Sequence, residues 1–362
     1  MARITPQPGI MDIALYQGGA SHLAGVAEVL KLSSNENPLG PPPAAIAALQ
    51  AAAGAMHLYP STDHASLRAA ISEVWGVDPD RVICGVGSDE VLQFVTQAFA
   101  GPVDEIIHTA HGFSMYPILA RMAGATPVCV PEAERRVDVD AILAAVTDRT
   151  RVVLLTNPGN PTSTRLPDAQ VTRLADALPE HVILVLDAAY AEYSDGFDGG
   201  LSLAETRPNV LMTRTFSKVY GLGGLRVGWG YGPRAMIDVM TRIRQPFNLS
   251  TVALAAAEAA ARDTDWLTSC VALNAAQRAR LTGALRQLGL ACDDSDTNFV
   301  LARAASVAEA DAAEAALNAD GILVRRVGGY GFPEGLRITV GDADQTGRVI
   351  DALTRWRSEA AA

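Results

Sequence analysis

Between residues 80 and 250 the chain alternates short apolar runs with segments of helical spacing. The runs RVICGV, DEIIHT, TPVCVP, RVVLLT, VILVLD and NVLMT are the candidate strands. Amphipathic segments such as EVLQFVTQAFA and PDAQVTRLADAL lie between several of them and read as helices. Short apolar runs separated by helices predict an α/β unit built on a mainly parallel sheet. Ligands of such sheets bind beyond the carboxyl ends of the strands. Residues just after the apolar runs therefore carry the most functional interest.

After QPFNLS the pattern changes. An alanine-rich helical stretch spans about 251–288, followed by TNFVLARA, a helix near 306–319, GILVRRV, LRITVG and a last helix. These predict a smaller α+β unit. The first forty-odd residues contain NENPLGPPP, too rich in proline for regular structure. The expected division is an arm with part of the small domain at 1–42, a large α/β domain at 43–250, and a small C-terminal α+β domain at 251–362.

Composition narrows the function classes. The chain has 362 residues, 49% of them hydrophobic, enough for a large core in two domains. A net charge of −11 argues against a nucleic-acid partner. No run of eighteen apolar residues is present and the N-terminus lacks a secretory apolar core, so no membrane association is expected. The four cysteines are scattered, with no CxxC pair. Neither a metal site nor a disulfide framework is expected, and a cytoplasmic location fits.

Four candidate sites fall at or just after strand ends. In GVGSDEVLQFV, Ser88 is placed to cap a helix, and Asp89 and Glu90 suit its positive end. Free amides at such a terminus bind phosphate, although a well-capped helix explains the residues equally. In TNPGNPTST, prolines fix a turn and an asparagine amide can donate to a ligand oxygen; alone it reads as a loop. In VILVLDAAYAEY, Asp187 ends a buried strand and needs a cationic or donor partner, either a ligand cation or a neighbouring arginine. The fourth is TRTFSKVYGLGGLRVGWGYG. Its lysine, Lys218, sits among hydroxyls, glycines and apolar residues. Desolvation or a nearby cation makes such an amine nucleophilic. Gly221, Gly223 and Gly224 leave room beside it, and Arg226 offers a guanidinium fork for an anion. A phosphate cradle, an asparagine donor, a carboxylate and an amine together match the four polar groups of pyridoxal 5′-phosphate, PLP.

At this point the chain resembles the histidinol-phosphate aminotransferases. SSNENPLGPP, LYP, GVGSDE, NPGNPT, LDAAYAEY, TFSKVYGLGGLRVGW and GYGFPEGLRITVG occur in that family's order, over about residues 10–355. The resemblance implies the fold-type-I, aspartate-aminotransferase-like architecture, with a mainly parallel seven-stranded sheet in the large domain. It implies that Lys218 forms the Schiff base with PLP, that Asp187 keeps the pyridine nitrogen protonated, and that Asn160 and Tyr190 bond the phenolic oxygen. Ser88, Asp89, Ser217 and Arg226 would lie at the phosphate. Tyr59 would reach the neighbouring subunit's phosphate, implying a homodimer with shared sites. Phe113, in HGF, stands where the family commonly has a tyrosine stacked on the ring. Ser88 and Ser163 also depart from the common alanine and glycine. Arg337, Arg325, Tyr16 and Asn248 are the implied substrate contacts, with Arg326 a register rival to Arg325. The implied reaction is transamination between histidinol phosphate and 2-oxoglutarate in histidine biosynthesis. Lys218 would serve as base and acid, beginning with proton removal at the substrate's Cα. An aromatic amino-acid aminotransferase and a PLP-dependent decarboxylase of a phosphorylated amino acid are the alternatives. A PLP-sensing regulator would need a DNA-binding domain, and a nucleotide-binding protein would not explain Lys218 with Asp187.

Overall fold

A computed structural model describes residues 4–13, 15, 18, 22–23, 25 and 28–360. Among them, the large sheet has seven strands: β1 Val82–Val86, β2 Glu105–Thr109, β3 Thr126–Val130, β4 Thr150–Thr156, β5 Ile183–Asp187, β6 Val210–Thr215 and β7 Val227–Tyr231. Their order is β1-β7-β6-β5-β4-β2-β3. Every neighbouring pair is parallel except the two made by β7, which is antiparallel to both β1 and β6.

The central strands are buried on both faces because their apolar residues alternate between two cores. Val153, Leu155, Leu184, Leu186 and Met212 enter one. Val152, Leu154, Ile183, Val185 and Leu211 enter the other. The two-residue period of a strand sends successive side chains to opposite layers. This is why the runs read as continuous hydrophobic stretches.

β7 is the strand that the apolar pattern missed. Its sequence VGWGY interleaves glycine with large side chains. Gly228 has a steric purpose: a Cβ there would collide with the backbone of Gly87 and Ser88. Its bare backbone lets the helix Gly87–Phe99 begin directly against the sheet.

The smaller sheet contains β8 Ala291–Cys292, β9 Phe299–Arg303, β10 Arg325–Val327 and β11 Phe332–Thr339, in the order β8-β9-β11-β10. GILVRRV divides: Ile322–Leu323 pairs with Leu30–Lys31, and only Arg325–Val327 joins this sheet. The helical stretch after 250 is also two elements, Thr251–Arg262 and Thr264–Gln287. Asp263 separates them and accepts from the Trp266 amide, capping the second. The first packs Ala253, Ala256, Ala257 and Ala260 into the core of the large sheet.

Candidate active site

A cavity of about 260 Å³ lies at the carboxyl ends of β4, β5 and β6, where Thr156, Asp187 and Thr215 end their strands. Asp187 is nearly sealed from solvent. Its carboxylate accepts from Tyr116 Oη at 2.9 Å and from Thr213 Oγ1 at 3.2 Å. Burial, with the nearby Asp89 carboxylate, outweighs these bonds and pushes its pKa up to about 6. Lys218 follows β6 through a turn, and its Nζ donates to the Ser34 carbonyl at 3.3 Å. Burial, assisted by the Arg337 charge, pulls its pKa down to about 8.

At the far end the helix Gly87–Phe99 presents its first turn. Arg226 crosses that end, donating to Ser217 Oγ and to Asp89 Oδ2, each at 2.9 Å. Ser88 lies within the first turn and lines the cavity, so it is not the cap. Glu90 takes the capping role instead, its carboxylate accepting from the Val86 amide at 2.7 Å.

Two side chains project from the loops after β4 and β5. Asn160 Oδ1 accepts from Arg337 Nη1 at 2.6 Å. Tyr190 accepts from Asn35 Nδ2 at 2.9 Å, and burial pushes its pKa up to about 12. Arg337 arrives from β11 of the small sheet and also donates to the Ser33 carbonyl at 3.0 Å. A buried carboxylate, a deprotonatable amine, Arg226, Arg337 and the first turn of the helix Gly87–Phe99 thus surround one space.

The family model for aminotransferase class I and II matches residues 27–353. The chain belongs to that family. As an aminotransferase it is 65% identical over 99% of both chains to a histidinol-phosphate aminotransferase of Ruegeria pomeroyi. It is 62% identical over 98% of both chains to one of a Jannaschia species. A solved histidinol-phosphate aminotransferase of Sinorhizobium meliloti, in complex with pyridoxal-5′-phosphate, superposes with a TM-score of 0.90 at 28% identity, covering 99% of each chain. The fold is therefore that of the fold-type-I PLP aminotransferases.

The residues singled out in the aminotransferase sequence divide into two groups. Ser88, Asp89, Phe113, Asn160, Asp187 and Tyr190 line the cavity, as do Ser217, Lys218, Arg226, Arg325 and Arg337. Arg325 bonds the Gly18 carbonyl, whereas Arg326 is engaged by Asp311 and Glu314 and by the Pro333 carbonyl. The two arginines are thereby separated: the first faces the cavity and the second forms an ion-pair cluster. Asn248 is not brought to the cavity. Its amide donates to Glu90 and to the Cys84 carbonyl, and its oxygen accepts from Arg244. Tyr59 is 82% exposed and stacks on Phe247 at 4.5 Å. Tyr16 lies outside the described residues.

Sequence reasoning missed Asn35, Tyr116, Thr213 and Tyr330, the last of which lines the cavity with its hydroxyl 2.9 Å from Ser114 Oγ. Asn35 had a signal, because it sits in the SSNENP motif. Tyr116 follows Phe113 by one helical turn and meets its ring edge-on at 5.8 Å. Nothing local reveals that its hydroxyl bonds Asp187. Among the described residues no His, Cys, Asp and Glu cluster could hold a metal, and no helix is long and apolar enough to cross a membrane.

Proposed function

We propose that this aminotransferase uses pyridoxal 5′-phosphate to move an amino group from histidinol phosphate to 2-oxoglutarate, in histidine biosynthesis. The observation that carries the reading is that the Lys218 amine, its pKa lowered by desolvation, meets the buried Asp187 carboxylate and the Arg226 guanidinium in one cavity.

The donor set fits the cofactor group by group. Arg226, Ser217 and the first turn of Gly87–Phe99 suit a phosphate. A Cβ at Gly87 would run into the Arg226 guanidinium, so the bare backbone keeps that cradle open. Asp187 suits a pyridinium nitrogen, a cation that would return its raised pKa toward the ionised range. Asn160 and Tyr190 supply donors for the phenolic oxygen, and Phe113 an apolar face for the ring. When bound, the cofactor supplies an electron sink for charge developing at the substrate's Cα.

The chain's own residues do the rest. Lys218 Nζ, its pKa lowered to about 8 by desolvation, would take the proton from the substrate's Cα and deliver it to the cofactor's C4′ carbon, acting as base and then acid. Asn160, Tyr190 and Asp187 keep the reacting groups in one plane. Arg337 and Arg325 recognise anions, the phosphate of one substrate and the carboxylates of the other. The aminotransferase acts in the cytoplasm as a homodimer in which exposed Tyr59 reaches the partner's phosphate site.

Absorbance spectroscopy of the cofactor-loaded protein with each amine tests the substrate. Histidinol phosphate should discharge the cofactor band with a kcat/KM at least roughly tenfold above that for phenylalanine. Equal or faster reaction with phenylalanine would overturn the assignment in favour of an aromatic amino-acid aminotransferase.

A further inference from the structure

The segment Ser33–Asn35 runs along the cavity between the two sheets. Its three residues engage three different site residues. The Ser33 carbonyl accepts from Arg337 at 3.0 Å, the Ser34 carbonyl accepts from Lys218 at 3.3 Å, and Asn35 Nδ2 donates to Tyr190 at 2.9 Å. Asn35 is 1% exposed and has φ 57°, a left-handed conformation that asparagine tolerates better than most residues.

The surroundings fix which way its amide points. The Asn35 backbone amide donates to Thr339 Oγ1 at 3.0 Å, and its carbonyl accepts from Asn298 Nδ2 at 2.9 Å. The Thr339 hydroxyl donates in turn to Asn35 Oδ1 at 3.4 Å. With the oxygen on Thr339, the Nδ2 group faces Tyr190. A phenol has one hydrogen to give and lone pairs to receive. Asn35 occupies a lone pair of the Tyr190 oxygen, so the hydrogen must point elsewhere, and Tyr190 lines the cavity.

We propose that Asn35 is a positioning residue that holds the Tyr190 hydroxyl as a hydrogen-bond donor toward the phenolic oxygen of the bound cofactor. The inference rests on the proposed binding of pyridoxal phosphate in this cavity. Through it the SSNENP motif acquires a chemical role, with an arm residue setting the direction of a hydrogen bond made by a residue of the large sheet. A donor at the phenolic oxygen competes for the proton shared between that oxygen and the nitrogen contributed by Lys218. Without the donor the oxygen is more basic, and the proton is held to higher pH.

The test is the pH midpoint of the visible absorption change of the cofactor-loaded protein. Asn35→Asp keeps the size and tolerates the left-handed backbone. Its carboxylate can only accept, so Tyr190 must donate to it rather than to the cavity. Asn35→Asp should raise the midpoint by about one unit in the otherwise native protein, and far less when Tyr190→Phe is already present. Asn35→Ala, which adds no charge, should raise it in the same direction and again only while Tyr190 is intact. In steady-state assays both should lower kcat more than they change KM. Equal shifts in the two backgrounds would overturn the proposal, because Asn35 would then act through charge or the fold. A Tyr190→Phe midpoint identical to the native one would overturn the placement of Tyr190 itself, and the proposal with it.

Discussion

At the scale of single residues the site works by withholding water from two charges. Lys218 and Asp187 are both forced toward neutrality by burial, in opposite directions. For Lys218 the consequence is measurable. Below a pKa of about 8 the amine is protonated and has no lone pair; above it, it is free to attack an aldehyde. The cofactor-free protein should therefore recapture pyridoxal phosphate at a rate that rises with pH and levels off above about 8, well short of the ordinary 10.5. Stopped-flow absorbance reads the rate directly, and a plateau near 10.5 would contradict the burial. The linkage has a definite sign. The folded state holds fewer protons than the unfolded chain between the two values. This one group therefore penalises the fold below about 8, and the penalty fades as pH approaches 10.5. Residue identity made Lys218, Asp187 and Arg226 legible in the sequence, because an amine, a carboxylate and a guanidinium beside strand ends need partners. Tyr116 was not legible. Its neutral hydroxyl reaches Asp187 across 71 residues of sequence, and no local pattern encodes that contact.

At the scale of elements, apolar periodicity found six of the strands because each is a buried run. It missed Val227–Tyr231, whose glycines serve close packing rather than hydrophobicity. Gly228 lets the helix Gly87–Phe99 start against the sheet, which places Ser88 and Asp89 of its first turn at the cavity. Gly228→Ala should displace that start. The expected cost is about 1–3 kcal/mol of stability and roughly a tenfold loss of cofactor affinity. Thermal melts and equilibrium dialysis of the cofactor check the two parts. Gly283→Ala, in open space on the helix Thr264–Gln287, should leave affinity alone. Native affinity in Gly228→Ala would remove the packing argument. The continuous helical pattern across 251–288 hid a break, since Asp263 ends one helix and caps the next without interrupting the apolar spacing.

At the scale of the whole molecule the cavity belongs to neither sheet alone. Arg337 comes from the small sheet and bonds Asn160 of the large one, 177 positions away. Leu30–Lys31 pairs with Ile322–Leu323, tying the arm to the small unit before Ser33–Asn35 enters the site. Sequence order announced the two kinds of unit, one of alternating strands and helices and one of mixed elements. It could not announce their meeting, because that depends on contacts between distant segments. Lysine is scarce enough in this chain to make the proposed covalent anchor directly testable. The chain contains two lysines, Lys31 and Lys218. Lys31 is ion-paired with Glu36 at 2.7 Å, whereas Lys218 faces the cavity. Borohydride reduction of the cofactor-loaded protein, followed by peptide mapping, should leave the pyridoxyl group on the peptide carrying Lys218 and none on Lys31. A reduced protein with Lys218 unmodified would contradict the account at its root.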